Sequence, residues 1–332
     1  MVSIVRLPHM PYNVVFFGTS DFSVPSLRAL LADARFNVVA VVTKPDAPIG
    51  RHQVMTPPPV KVLAQEHIVK VLQFEKIKTE ETYEILRSAQ DDNPADAFVI
   101  VSYGKIIPQR ILDLPKHGCI NVHGSLLPRW RGASCVQSAI ASGDEKTGIT
   151  IMLLDAEMDH GPVIAQVETA IGSDETGGQL HDRLAELGAA TLPDSLDDYL
   201  QGKIKPQEQD YTAATACKIL TRNDGRIDWQ KPAQEINRLV RAFNPWPGTW
   251  TEWDGKRIKI LKTTKNPSTP LGAGEELGTK NIDTSNSLGQ PFVFQVRLLV
   301  KCGDDQLLEI LELQPEGKKP MASKEYLAGH RT

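Results

Sequence analysis

The sequence predicts an α/β fold: a Rossmann-like domain on a mostly parallel sheet, followed by a smaller C-terminal β-barrel domain of OB-like type. Three observations predict it. Short apolar runs without polar interruption recur through the first half, as strands buried on both faces require. Stretches with apolar residues at helical spacing separate them. Beyond residue 217 the pattern changes to short alternating strands and tight turns. At 332 residues the chain also exceeds what one hydrophobic core comfortably serves.

The strands of the first domain read in order as NVVFFG (13–18), NVVAVVT (37–43), DAFVIVSYG (96–104), GCINVH (118–123) and GITIMLLD (148–155). Between the first two, Val24, Leu27, Leu30 and Leu31 share a helical face, and Pro25 is tolerated in a first turn. The first strand ends in GTSDF, with Ser20 where a dinucleotide fingerprint needs its second glycine. A nicotinamide cofactor is therefore disfavoured. Leu180, Leu184 and Leu187 mark a later helix, which Pro193 is expected to kink or end. The catalytic domain is assigned to 12–201, a polar linker to 202–217 and the second domain to 218–332. In the second domain TWTEWDGKRIKILK reads as two strands around an Asp254–Gly255 turn. FVFQVRLLVKC and QLLEILELQ are further strands, and the loop-rich 266–291 segment receives no assignment.

Composition narrows the functional classes. A net charge of -4 offers no global attraction for a nucleic acid, so such a partner must meet a local basic patch. The four cysteines are far apart, with no Cys-x-x-Cys and no histidine at metal-ligand spacing. A zinc site and a disulfide framework are both disfavoured, and a reducing compartment is expected. No apolar run approaches the roughly 20 residues that span a bilayer, and the opening MVSIVRLPHMPY lacks a hydrophobic signal core. A cytoplasmic protein without membrane contacts is expected.

The chemistry concentrates in GCINVHGSLLPRWRG (118–132). Strand alternation puts Ile120 and Val122 on one face and Cys119, Asn121 and His123 on the other. Asn121 and His123 then project together near the carboxyl end of a strand, where open α/β sheets hold their ligands. Pro128 and Gly132 bracket a turn in which Leu126, Leu127 and Trp130 can line a pocket for a flat heterocycle. Arg129 and Arg131 can hold phosphate or stack on bases. Asp155 and Asp159, after the GITIM strand, both qualify as a partner acid. An amide N–H and an imidazolium can stabilise an oxyanion while a carboxylate supports the imidazole. There is no Gly-x-Ser-x-Gly elbow, and Cys119 reads as an inert strand filler. Direct attack by an amine on a bound acyl donor therefore fits better than a covalent acyl-enzyme.

INVHGSLLPRWRGA together with MDHGP resembles the 10-formyltetrahydrofolate-dependent formyltransferases, in particular those that formylate methionyl-tRNA. The likeness extends in order through FFGTSDFSVPSLRALL, VVTKPDAPIG, GDEKTGITIM, DGRIDWQKPAQEINRLVRAFNPWPGTW and LELQPEGKKPMASKEYLAGH. It implies a catalytic trio at Asn121, His123 and Asp159, with 10-formyltetrahydrofolate as formyl donor and tetrahydrofolate as product. The implied acceptor is the α-amine of initiator methionyl-tRNA. Ser125, Leu126, Leu127 and Pro128 match the folate-contacting turn, and Leu153, Leu154, Asp155, Ala156 and Glu157 the loop over the pterin. Expected tRNA contacts are Lys44, Arg51, Arg129, Arg131, Lys256, Arg257 and Lys259. A monomer that needs neither metal nor nicotinamide is implied. The chain departs from the family in APIGRHQV, which lacks a lysine pair usual there, and in the Ala-Ser-Cys of 133–135. The rival readings are a sugar-nucleotide formyltransferase, whose members also carry a second domain, and a non-catalytic RNA-binding protein.

Overall fold

The computed structural model describes residues 10–50, 52–88, 94–265, 288–294 and 297–329. Arg51 and most of the 266–291 segment therefore lie outside the described residues. Contacts divide the chain into two compact units: one from Met1–Cys135, Lys146–Ala170 and His181–Cys217, the other from Val136–Glu145, Ile171–Leu180 and Lys218–Thr332.

In the first unit the apolar runs become strands because each must bury both faces. In chain order the elements are β1 (Tyr12–Gly18), α1 (Val24–Ala32), β2 (Phe36–Thr43), β3 (Ala47–Ile49), β4 (Val54–Thr56), α2 (Pro59–Glu66), β5 (Lys70–Gln73), α3 (Glu80–Ser88) and β6 (Ala97–Val101). α4 (Gln109–Leu112), β7 (Cys119–His123), α5 (Cys135–Ser142), β8 (Lys146–Leu153), β9 (Val163–Ala170) and α6 (Gly177–Leu200) follow in the chain, residues 136–142 of α5 and 177–180 of α6 belonging to the second unit. Seven strands pair in the order β5-β2-β1-β6-β7-β8-β9. The pairings from β5 to β7 are parallel, and β8 and β9 extend the sheet antiparallel. Strand order reverses between β1 and β6, the position at which an open sheet leaves a crevice beyond its strand ends. All residues of β6 and β7 are buried; β6 is apolar throughout, while β7 carries Asn121 and His123 between Ile120 and Val122.

Three details depart from the sequence reading. The stretch after Lys44-Pro45-Asp46, where the sequence reading places no strand, forms the β3–β4 hairpin. GITIMLLD is a strand as expected, but it runs antiparallel to β7. The third concerns Pro193, around which α6 continues unbroken to Leu200. An interior proline costs about 3 kcal/mol. The buried side chains of Leu184, Leu192, Leu196 and Leu200 each contribute roughly 1.5–3 kcal/mol, so packing outweighs the lost hydrogen bond.

The second unit contains α7 (Ala233–Ala242), β10 (Thr249–Trp253), β11 (Lys256–Thr264), β12 (Pro291–Phe294), β13 (Arg297–Lys301), β14 (Leu307–Pro315), β15 (Met321–Ala322) and α8 (Ser323–Ala328). Its strands form an antiparallel sheet in the order β10-β11-β14-β13-β12, with β15 added to β14. Register shifts between Ile260 and Thr263 bend β11 and help curl the sheet. The expected hairpin is present, and Asp254 and Gly255 both take positive φ at its turn. Ile236 and Val240 of α7 pack with Trp253, Ile258, Ile260, Leu308 and Ile310 into the core of this unit.

Leu184→Ala should destabilise the protein by about 2–5 kcal/mol, because Leu184 is fully buried and truncation leaves a cavity. Denaturant unfolding followed by circular dichroism measures the loss.

Candidate active site

Strand β7 carries Asn121 and His123 to the end of the sheet, both nearly buried. His123 Nε2 donates to the Trp130 carbonyl at 3.0 Å, and Nδ1 faces Asp159 Oδ2 at 3.6 Å. With an acceptor beside each ring nitrogen, the doubly protonated ring is the form that satisfies both. Burial opposes that charge. Cys135, the Asp159 carboxylate and the Trp130 carbonyl outweigh burial, and the His123 pKa is pushed up to about 9.

Asp159 is the hub of the cluster. Its Oδ2 also accepts the Gly132 N–H at 2.8 Å, and its Oδ1 lies 3.5 Å from Asn121 Nδ2. Asp159 has φ of 49°, a left-handed conformation that a non-glycine residue holds only when its surroundings impose it. Gly132 stands at φ of 108°, and a Cβ there would sit 2.8 Å from the Cys217 carbonyl oxygen. That position is closed to any other residue.

The structure also separates the two acids, of which the family resemblance implied Asp159. Asp155 turns from His123 and pairs with His160 Nδ1 at 2.7 Å, and the His160 ring stacks on Tyr211 at 4.3 Å. Asp155 also accepts the Glu157 N–H at 2.9 Å, which closes the turn at Ala156. Leu153 and Leu154 anchor this loop through the Pro162 and Cys119 carbonyls.

The Ser125–Pro128 turn is fixed by residues whose part the sequence did not signal. The Thr150 hydroxyl donates to the Ser125 carbonyl at 2.6 Å and accepts the Leu127 N–H at 3.0 Å. Gln166 Nε2 donates to the Leu127 carbonyl at 2.7 Å and to the same hydroxyl at 3.0 Å. The Ser125 hydroxyl closes the turn onto the Arg129 carbonyl at 2.6 Å. Leu126 packs where a Cβ on Gly148 would intrude at 2.6 Å. Thr150 is a hydroxyl on a buried stretch of β8, a signal the sequence did carry, whereas Gln166 lies among the exposed positions of β9 and carried none.

The cationic residues fall into different settings. The Arg129 guanidinium lies over the Trp130 ring at 4.6 Å. Arg131 is turned inward, bonded to Gln209 and lying 5.5 Å from the Tyr211 ring centroid. Lys44 follows β2, with its ammonium near Gly104. In the second unit Arg257 and Lys259 point outward from β11 while Ile258 and Ile260 are buried, as alternation requires. Lys256 is exposed at the start of the same strand, and Arg257 stacks 3.7 Å from the Trp250 ring centroid.

Comparison with known proteins gives this geometry its context. Residues 12–196 match the family model "Formyl transferase", and residues 219–331 match "Formyl transferase, C-terminal domain". Methionyl-tRNA formyltransferase of Caldanaerobacter subterraneus is 42% identical over 318 residues, covering 96% of this chain and 97% of that protein. The methionyl-tRNA formyltransferase of Geobacter sulfurreducens is 40% identical over 324 residues, covering 96% and 94%. Among solved structures, an N-formyltransferase from Helicobacter canadensis in complex with folinic acid and dTDP-3-aminofucose shares the fold. Its TM-score is 0.62 at 18% identity, covering 92% of this chain and 100% of that one. With both domain models matched and such identity over nearly the whole length, the chain belongs to the methionyl-tRNA formyltransferases.

Proposed function

We propose that this protein transfers the formyl group of 10-formyltetrahydrofolate to the α-amine of methionine on initiator methionyl-tRNA. The observation that carries the chemistry is the convergence of Asn121, His123 and Asp159 at the end of β7. The neutral α-amine attacks the formyl carbon, and the carbonyl π electrons move to oxygen. The Asn121 N–H and the His123 imidazolium are the donors suited to that oxyanion. Asp159 keeps the imidazole charged and, directly or through water, takes the proton that the new N–C bond releases. Collapse of the intermediate breaks the bond to N10 of the folate, which leaves as tetrahydrofolate after gaining a proton.

The Ser125–Pro128 turn and the Leu153–Glu157 loop are the surfaces assigned to the folate. For the tRNA we assign Lys44, Arg51 and Arg129 in the first domain and Lys256, Arg257 and Lys259 on the β10–β11 hairpin. Arg131 shares the same turn, its guanidinium engaged by Gln209. The proposed division of labour places catalysis in 12–201 and shares acceptor binding between that domain and 218–332. The protein is read as a cytoplasmic monomer.

His123→Ala should lower the single-turnover formylation rate of charged initiator tRNA by about 10²–10⁴-fold. An unchanged rate would remove His123 from the reaction. The pH profile follows from the raised pKa. His123 is charged below its folded value, so activity should fall as pH rises through about 9. The acid side should be set by the methionyl α-amine, whose ordinary value is about 7.7–8.0. Asp159→Asn removes the neighbouring negative charge and should move the basic limb to lower pH. Replacing Lys256 and Lys259 together by alanine should raise the KM for tRNA and reduce the salt slope of binding by about one per lost phosphate contact. Filter binding across a potassium chloride series measures it.

A further inference from the structure

The 202–217 segment is polar in sequence, yet Gln209 within it is only 6% exposed. Its amide is fully used. Nε2 donates to the Asp159 carbonyl at 3.0 Å and to the Gly161 carbonyl at 2.8 Å. Oε1 accepts from Arg131 Nη2 at 2.7 Å and from Arg131 Nε at 3.2 Å. Two donors and two lone pairs exhaust the hydrogen-bonding capacity of a primary amide.

These partners sit on the two sides of the His123–Asp159 pair. One side is the backbone of Asp159, whose left-handed conformation needs outside support. The other is the Trp130–Gly132 turn, which supplies the carbonyl that His123 Nε2 meets and the N–H that Asp159 Oδ2 accepts. Arg131 lies in the middle of that turn.

The rest of the segment runs along the same turn as a strap. Gln207 and Val163 exchange backbone hydrogen bonds at 2.8 and 2.7 Å. Thr215 N–H donates to the Pro128 carbonyl, Arg131 N–H to the Thr215 carbonyl, and Cys217 N–H to the Arg131 carbonyl. The Thr215 hydroxyl accepts the Trp130 N–H at 2.9 Å. Tyr211 lies between these anchor points, with its ring against His160 and Arg131 and its hydroxyl on Glu208.

We propose that Gln209 is a positioning residue for formyl transfer: by holding the Asp159 backbone and the Arg131 side chain on one amide, it fixes the Asp159 carboxylate against His123. This rests on the reading of Asn121, His123 and Asp159 as the reacting cluster. The stretch from Gln207 to Cys217 is then part of the catalytic unit as well as the connection to the second one.

A carboxylate displaced by about an ångström can cost as much as 10²-fold in rate. Gln209→Ala and Gln209→Glu separate the two halves of the clamp. Glutamate keeps an acceptor for Arg131 but loses the N–H donors and sets its oxygens against two carbonyls. Both variants should lose roughly 10- to 100-fold in single-turnover rate, with KM for tRNA and folate changing less than about threefold.

A second measurement reads position directly. The ring proton resonances of His123 in the histidine-labelled full-length protein give its titration midpoint. The groups that face this ring are Asp159, Cys135 and the Trp130 carbonyl. Loosening Asp159 should lower the midpoint in Gln209→Ala, a change that lower global stability alone does not produce. In Gln209→Glu the added carboxylate raises the midpoint and opposes that shift, so this isosteric variant is read by its rate and carries the test if Gln209→Ala fails to fold. A wild-type rate in Gln209→Glu, or a wild-type rate with an unmoved midpoint in Gln209→Ala, would overturn the proposal. His123→Ala assayed alongside distinguishes the two readings: if it keeps the wild-type rate, the reacting cluster itself is misassigned.

Discussion

The imidazole of His123 is held between two acceptors, the Trp130 carbonyl and the Asp159 carboxylate, and the site depends on that arrangement. A buried imidazolium without partners would lose its proton, because burial disfavours the charged form. One acceptor at each nitrogen reverses the outcome. Both acceptors come from irregular backbone, since Trp130 has φ of 61° and Asp159 has φ of 49°. Neither conformation is favoured locally, so each needs support from the surrounding fold.

That support comes in layers. The central strands are rigid because β6 and β7 are buried along their whole length. Antiparallel β8 then brings Thr150 opposite His123, where its hydroxyl bonds the Ser125–Leu127 turn from below. Gln166 on β9 reaches the same turn from the next strand. A parallel strand at the β8 position would need a long crossover before it could pair with β7. In the antiparallel register Thr150 lies beside His123 and the end of β8, Leu153, beside Ile120, and the chain turns back from there to bring Asp159 to His123.

The second unit follows different rules. Its strands alternate, so a buried face with Ile258 and Ile260 entails an outward face with Arg257 and Lys259. With an overall charge of -4, such a face is the type of local patch through which a polyanion can be held. The Arg257 side chain, stacked on Trp250, is held out from the strand at less entropic cost than a free lysine.

Most of the strands and the common face of Asn121 and His123 are legible in the sequence without coordinates. Runs such as AFVIV and CINVH carry a strand signal in every residue, and the Asp254–Gly255 turn carries its own hairpin signal. Asn121 and His123 were legible because strand alternation fixes their common face. The tertiary structure alone decided the rest. It set Asp159, the acid that the family resemblance implied, beside His123 and Asp155 beside His160, carried α6 past Pro193, and brought Thr150, Gln166 and Gln209 to the turns around them. Periodicity reports only which way a side chain faces along its own element. Which carboxylate reaches which imidazole depends on hydrogen bonds between segments far apart in the chain, and these exist only after the sheet has formed.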